Sequence, residues 1–92
     1  MIGSFRHKGL KEFFETGSKR GIRPELASRL GRRLDVLEAA QGLSDIDAHG
    51  FSLHALKGDR QGEWAISVSG NWRITFRLEK GEAIDLNLED YH

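Results

Sequence analysis

The sequence predicts an α+β domain: an N-terminal strand and two helices packed on one face of a mostly antiparallel sheet of four to five strands. Two observations support this class. Apolar residues recur with helical spacing between residues 7 and 42, and they alternate with polar residues from residue 51 to the end. Such alternation is typical of antiparallel strands with one face on a core and one toward solvent. The domain is predicted to span residues 1–92, since a chain of this length has room for one core.

The opening residues MIGSFR are extended in character and are followed by the first predicted helix. Leu10, Phe13 and Phe14 fall on one face of that helix, and Gly17 supplies a stop. The second helix, RPELASRLGRRLDVLEAAQG, begins near Pro24 and ends near Gly42. Its buried stripe consists of leucines at helical spacing, namely Leu26, Leu30, Leu34 and Leu37. The following SDIDAHG is predicted to be a loop.

The remaining chain is predicted to form a meander of about four strands. Its turns are LKGDRQG, SGN and EKGE. The apolar residues that alternate toward the core are Trp64, Ile66, Val68, Trp72, Ile74, Phe76, Leu78, Ile84, Leu86 and Leu88. The opposite face carries a polar set that includes His54, Arg73, Thr75 and Arg77.

Composition excludes several classes of function. The chain has no cysteine, which removes disulfides, thiolate zinc sites and cysteine nucleophiles. No stretch resembles a signal peptide or a membrane span, so we expect a cytoplasmic protein with no membrane partner. The net charge is zero, but residues 1–33 hold nine basic and three acidic residues, and residues 34–92 hold five and eleven. A basic N-terminal third could face phosphate, although a solvated helix surface explains it equally well.

The polar face and the final residues Asp90, Tyr91 and His92 together carry the groups that RNA cleavage by internal attack requires. His54, Asp90 and His92 are candidates for the proton transfers. Lys57 and Arg73 are candidates for binding the phosphate, with Tyr91 to orient a phosphate or stack on a base and Asn71 as a possible RNA contact. This route needs no metal, and His54, Asp90 and His92 lack a metal-ligand spacing. The same face would also suit a binding module without catalysis.

The stretch LHALKGDRQGEWAISVSGNWRITFRLEKGEAIDLNLEDYH resembles the host-inhibition-of-growth (HigB) toxins of the RelE-like superfamily, as does the opening SFRHKGLKEFFETG. The resemblance implies a RelE-like, microbial-ribonuclease fold and the toxin of a type II toxin–antitoxin pair. It implies a ribosome-dependent endonuclease that cuts mRNA in the ribosomal A site and so inhibits translation. It implies no cofactor or metal. The site it implies consists of His54, Lys57, Arg73, Asp90, Tyr91 and His92.

Partners and an alternative also follow from the resemblance. The implied partners are the 70S ribosome with its mRNA and a HigA-like helix-turn-helix antitoxin, through which operator DNA would be contacted indirectly. A basic patch is predicted to touch ribosomal RNA, comprising Arg20, Arg23, Arg29, Arg32 and Arg33. The alternative is a non-catalytic module that blocks translation or only binds the antitoxin. The sequence leaves open which residue is the general acid and which is the general base.

Overall fold

The computed structural model describes residues 1–91. Three α-helices come first in that range, Lys8–Thr16 (α1), Ala27–Ala39 (α2) and Leu43–Asp47 (α3). Four strands follow, His54–Ala55 (β1), Trp64–Ser69 (β2), Trp72–Glu79 (β3) and Glu82–Asp90 (β4). Short 3-10 turns precede α2 at Pro24–Leu26 and β2 at Gly58–Arg60. The predicted α+β class is confirmed.

The first helix, α1, is fixed at both ends by local capping. The ring of His7 accepts a hydrogen bond from the backbone N–H of Leu10 through Nδ1, at 3.0 Å. Gly17 ends the helix in the left-handed conformation, as predicted. Near its start, Gly9 lies against Gly21 so closely that a Cβ on Gly9 would fall 2.1 Å from the Gly21 carbonyl oxygen. This contact between backbones holds the loop before α2 against α1.

The second helix, α2, buries the predicted leucine stripe, since each of its leucines is at most 4% exposed. The predicted loop after it is wrong in part, because Leu43–Asp47 forms α3. Ile46 is completely buried there, and the Asp45 carboxylate accepts a hydrogen bond from the backbone N–H of Gln41 at 2.9 Å. One buried isoleucine and one hydrogen bond from the preceding backbone to a side chain hold five residues in a helix too short to show a helical period.

The strands form a single antiparallel meander in the order β1-β2-β3-β4. The N-terminal segment lies beside β4 in a parallel sense, through bridges from Ile2 to Ala83 and from Phe5 to Leu86. The predicted first strand is therefore a pair of bridges, and it makes β4 an interior strand. The helices and the apolar face of the sheet enclose one core cluster. Within residues 1–91, no helix is long and apolar enough to cross a membrane.

A bulge in β4 changes which of its residues face the core. Asp85 has a left-handed backbone with φ 56°, and the pairing with β3 shifts by one residue at this point. The hydroxyl of Ser4 supports the bulge by accepting a hydrogen bond from the Asp85 N–H at 2.9 Å. Ile84 consequently pairs with Arg77 and lies on the face opposite Leu86, so its predicted place in the core is wrong.

Candidate active site

Four charged side chains form an ion-pair network on the face of the sheet turned away from the helices, here called the open face. These are Arg60, Glu63, Arg73 and Glu89, the ionic network. Arg60 binds both oxygens of Glu89, with Nη1–Oε1 2.8 Å and Nη2–Oε2 2.6 Å, and it also binds Glu63 at 2.8 Å. Arg73 donates to Oε1 of Glu89 through Nη2 at 3.1 Å and through Nε at 3.3 Å. Glu89 is thus shared by two guanidinium groups.

The two guanidinium groups keep the Glu89 carboxylate ionised. Hydrogen bonds from Arg60, and then from Arg73, lower the pKa of Glu89 to about 2 against the opposing effect of burial. The Glu63 carboxylate also has a lowered pKa, chiefly because it accepts hydrogen bonds from Arg60. The pKa of Arg60 is raised by its bonds to both glutamates. The ionic network therefore holds two positive and two negative charges that compensate one another.

The ionic network also covers part of the sheet that was predicted to face solvent. Thr75 is 0% exposed, and its hydroxyl donates a hydrogen bond to Oε2 of Glu89 at 3.4 Å. Arg60 starts from the turn before β2 and reaches Glu89 on β4, which is two strands away. The open face is thus partly covered by its own charged side chains.

Tyr91 lies on the open face beside this network. The ring of Tyr91 lies 4.3 Å from the guanidinium carbon of Arg73, which is a cation–π contact. The backbone N–H of Tyr91 donates to the carbonyl oxygen of Asn71 at 3.0 Å. Asn71 belongs to the hairpin connection predicted at SGN, which joins β2 to β3. The hairpin and Arg73 therefore hold Tyr91 in place, while 44% of the tyrosine surface stays exposed.

His54 and Lys57 lie toward the other edge of the sheet. His54 on β1 pairs with Ala65, which pairs with Thr75, so His54 shares the open face. Its Nδ1 lies 2.9 Å from the carbonyl oxygen of Ser52. Because a carbonyl oxygen only accepts, Nδ1 carries a proton and the neutral ring presents Nε2 as a proton acceptor. Lys57 is exposed and immediately precedes the 3-10 turn that carries Arg60.

Asp90 and His92 are the other two residues of the predicted terminal triplet. Asp90 pairs with Trp72, which packs against the core, so the alternation of β4 places Asp90 on the opposite face from Glu89. It is exposed at the end of the strand. His92, the predicted partner in proton transfer, lies outside the described residues. The catalytic roles predicted for Asp90 and His92 stay predictions.

The arginines of the predicted ribosome-binding patch differ in how firmly they are held. Arg33 donates through Nε to the carbonyl oxygen of Ser67 at 2.6 Å, and its guanidinium lies 4.2 Å from the Phe51 ring. Burial lowers the pKa of Arg33 from its usual value. Arg20 and Arg23 form ion pairs with glutamates at the surface. Arg33 therefore has a structural role, and contact of the patch with RNA stays a prediction.

Sequence reasoning did not single out three members of the ionic network: Arg60, Glu63 and Glu89. Alternation does place Glu89 on the same side of β4 as Asn87, but it gives no partner. The pairing of Glu89 with Arg73 depends on the bulge at Asp85, since a regular hairpin in the register of Glu79 with Glu82 would set Leu88 opposite Arg73. A left-handed aspartate in a strand leaves no mark in the apolar pattern.

The arrangement favours phosphate and proton chemistry at the open face. The Nη1 group of Arg73 makes no hydrogen bond to any residue in the range 1–91, and Lys57 makes no ion pair there. Among those same residues, no three of the His, Asp and Glu side chains are grouped so as to hold a metal ion. A guanidinium, a phenol and an imidazole acceptor thus share the open face, and the ammonium of Lys57 lies exposed beside the turn that carries Arg60.

Comparison with known proteins identifies the family of this chain. Residues 3–92 match the family described as RelE-like toxin of type II toxin-antitoxin system HigB. The chain is 46% identical to the Endoribonuclease HigB of Proteus vulgaris, over 100% of both chains. It is 29% identical to the Toxin HigB-1 of Vibrio cholerae serotype O1, over 99% of this chain and 98% of that protein. The chain therefore belongs to the HigB family of RelE-like toxins of type II toxin–antitoxin systems.

Proposed function

We propose that this protein is an endoribonuclease that cuts mRNA in the A site of the ribosome and thereby inhibits translation. Its relative in Proteus vulgaris bears the name endoribonuclease. The observation that supports the proposal is the contact of Tyr91 with Arg73 on the open face, because it brings a phenol to the guanidinium that we propose binds the phosphate. Family membership implies an antitoxin partner.

The proposed reaction is an internal attack that consumes no cofactor. The 2′-oxygen of the nucleotide before the cut attacks phosphorus while its proton passes to a base. The bond from phosphorus to the 5′-oxygen breaks, and that oxygen takes a proton from an acid. The products are a 2′,3′-cyclic phosphate and a 5′-hydroxyl, so atoms and charge balance without a metal ion.

Each side chain has a role in this proposal. Nε2 of His54 is an acceptor for a proton, and Asp90 and His92 are the other candidates for proton transfer. Arg73 and Lys57 stabilise the charge that develops on the phosphate oxygens. Tyr91 lies over Arg73 and orients the phosphate or stacks on a base, which every base permits through its ring face.

In this proposal the ribosome provides the affinity for mRNA that the open face lacks. The ionic network is charge-compensated and the whole chain has a net charge of zero, so free RNA would be held weakly. Positioning of mRNA by the ribosome would replace that affinity. The basic patch is proposed to contact ribosomal RNA. We further propose that the antitoxin is HigA-like, that it contacts operator DNA through a helix-turn-helix, and that the toxin acts in the cytoplasm.

Primer extension on mRNA from translating ribosomes tests the proposal. We expect discrete stops within codons when the protein is present, and we expect them to persist with a chelator for transition metals that leaves the ribosomal magnesium in place. Arg73→Gln should weaken the stops about 100-fold or more. Arg6→Gln, which changes an exposed arginine in the N-terminal segment, is the matched control and should leave them unchanged.

Intact mRNA in cells whose growth the protein arrests would refute the endonuclease and support the non-catalytic module. Equal cutting of naked RNA and of ribosome-bound mRNA would refute the dependence on the ribosome alone.

A further inference from the structure

We infer that Glu89 is a positioning residue of the active site: it fixes the Arg73 guanidinium beneath Tyr91 and thereby places the tyrosine over the open face. The inference rests on the proposed function and adds a residue that takes no direct part in the reaction. It depends on a chain of contacts from Arg60 through Glu89 and Arg73 to Tyr91.

The first link fixes the position of the carboxylate. Glu89 lies on an interior strand, and both of its oxygens are bound by the forked guanidinium of Arg60, which constrains the carboxylate plane. Thr75 donates to the same carboxylate from below, at 3.4 Å. A carboxylate held by a bidentate pair and a buried hydroxyl has little freedom to turn.

The second link transfers this constraint to Arg73. Arg73 stands directly opposite Glu89 in the strand pairing, and it presents Nε and Nη2 to the same oxygen, Oε1. These two bonds set the direction of the guanidinium and leave Nη1 pointing away from the carboxylate. The side chain is only 13% exposed, so its position is set inside the structure rather than by solvent.

The third link reaches Tyr91. Within the described part of the chain, Tyr91 makes a backbone hydrogen bond to Asn71, and its ring contacts the guanidinium of Arg73. Tyr91 is 44% exposed and does not belong to the core cluster of the described residues. Its orientation therefore depends on where the Arg73 guanidinium lies, and hence on Glu89.

Glu63 provides a natural comparison within the same network. It binds Arg60 at 2.8 Å, close to the 2.6 Å of the shortest contact between Arg60 and Glu89. Among residues 1–91 it makes no hydrogen bond or ion pair with Arg73 or with Tyr91. Glu63→Gln thus removes one of the network's two negative charges and leaves in place the groups that join Glu89 to Arg60 and to Arg73.

The sequence offers a specific probe, because Tyr91 is its one tyrosine. The full chain labelled with 3-fluorotyrosine gives one ¹⁹F resonance that reports the surroundings of this ring. The Arg73→Gln variant serves as the reference, because it gives the resonance position of a Tyr91 ring that has no cation beneath it. We expect Glu89→Gln to move the wild-type resonance at least half of the way to that position, and Glu63→Gln to leave it nearly unchanged.

Ribosome-dependent cleavage by the same variants gives the second readout. We expect Glu89→Gln to lower kcat about 10- to 100-fold, the loss that follows from displacing a group in an active site, with little change in KM for programmed ribosomes. Glu63→Gln should retain wild-type kcat. Should Glu89→Gln fail to fold, Glu89→Asp keeps the charge opposite Arg73 and should shift both readouts in the same direction by less.

A Glu89→Gln chain with an unmoved resonance would overturn the inference, as would equal effects of Glu63→Gln on both readouts. In wild-type protein, the absence of a nuclear Overhauser effect between the Tyr91 ring and the Arg73 side chain would overturn it without any variant. A wild-type chain that cuts no RNA would refute the proposed function, whereas the resonance comparison would still decide whether Glu89 positions Tyr91.

Discussion

The two faces of the sheet use the same strands for different purposes. On the helix-covered face, Ile66, Ile74 and Leu86 are completely buried, and stability comes from removing apolar surface from water. On the open face, the same strands present charged side chains that compensate one another. A large-to-small substitution on the helix-covered face should therefore destabilise or unfold the protein. A substitution on the open face should reduce activity in a protein that still folds.

The largest expected effect lies on the helix-covered face. Phe76 is 1% exposed at the centre of β3, and Phe76→Ala leaves a cavity that neighbouring elements fill only in part. We expect it to lower the free energy of unfolding by about 3–5 kcal/mol, comparable to the whole stability of a small domain. Urea denaturation followed by tryptophan fluorescence measures the change. A loss below about 1 kcal/mol would show that the face is loosely packed.

Tyr91→Ala should have the opposite effect: it should lower activity and leave stability almost unchanged. The ring is exposed and its removal creates no cavity, so the free energy of unfolding should change by about 0.5 kcal/mol or less. Ribosome-dependent cleavage should fall about 100-fold, since a group that acts at the phosphate is lost. Paired denaturation and cleavage measurements decide the matter. Full activity of Tyr91→Ala would remove the tyrosine from the site.

The open face should also contribute stability that depends on pH. The pKa of Glu89 is about 2 in the folded chain against an ordinary value of 4.5, so folding disfavours its protonation. Its contribution is complete above about pH 4.5 and is lost as the pH falls from there toward 2. We expect a loss on the order of 2 kcal/mol over that range, allowing for partial exposure. Denaturation at several pH values should show a flatter profile for Glu89→Gln, and identical slopes would contradict the assignment.

The smallest effect concerns the cap of α1. Burial lowers the pKa of His7 below its ordinary 6.5, and only the neutral ring accepts the hydrogen bond from Leu10. The cap is therefore complete above about pH 6.5 and weakens as the pH falls below that value. His7→Asn keeps an acceptor at every pH and should remove a pH-dependent loss of about 1 kcal/mol. Thermal unfolding at pH 7.5 and pH 5.5 tests this, and a loss that persists in the variant would refute it.

The two faces also differ in how far the sequence predicts them. The helix-covered face follows from periodicity, because burial acts on each residue separately: the leucine stripe of α2 and the alternation in β2 and β3 are confirmed. The one apolar residue misplaced in the last strand, Ile84, lies next to the bulge at Asp85. A bulge inserts one extra residue with a left-handed backbone, and the residues on its two sides then face opposite sides of the sheet, whereas alternation predicts that they share one face. The apolar pattern of the sequence stays the same.

The open face depends on pairings that periodicity does not contain. The sequence singled out Arg73 and Tyr91, and the structure brings them together. It did not single out Arg60, Glu63 or Glu89, because their partners are distant in the chain and depend on the strand register. A charged residue alternating with core residues looks solvated in either case, so its pairing becomes visible only in three dimensions.

The central claim is that Tyr91 and Arg73 work as one site, and a double-mutant cycle on ribosome-dependent cleavage tests it most directly. Tyr91→Ala, Arg73→Gln and the double variant are compared with wild type at matched folded concentrations. Residues that act as a unit lose their effect together, so we expect the double variant to be within about threefold of the more severe single variant. Losses that multiply in the double variant would show that the two side chains act independently and would contradict the account.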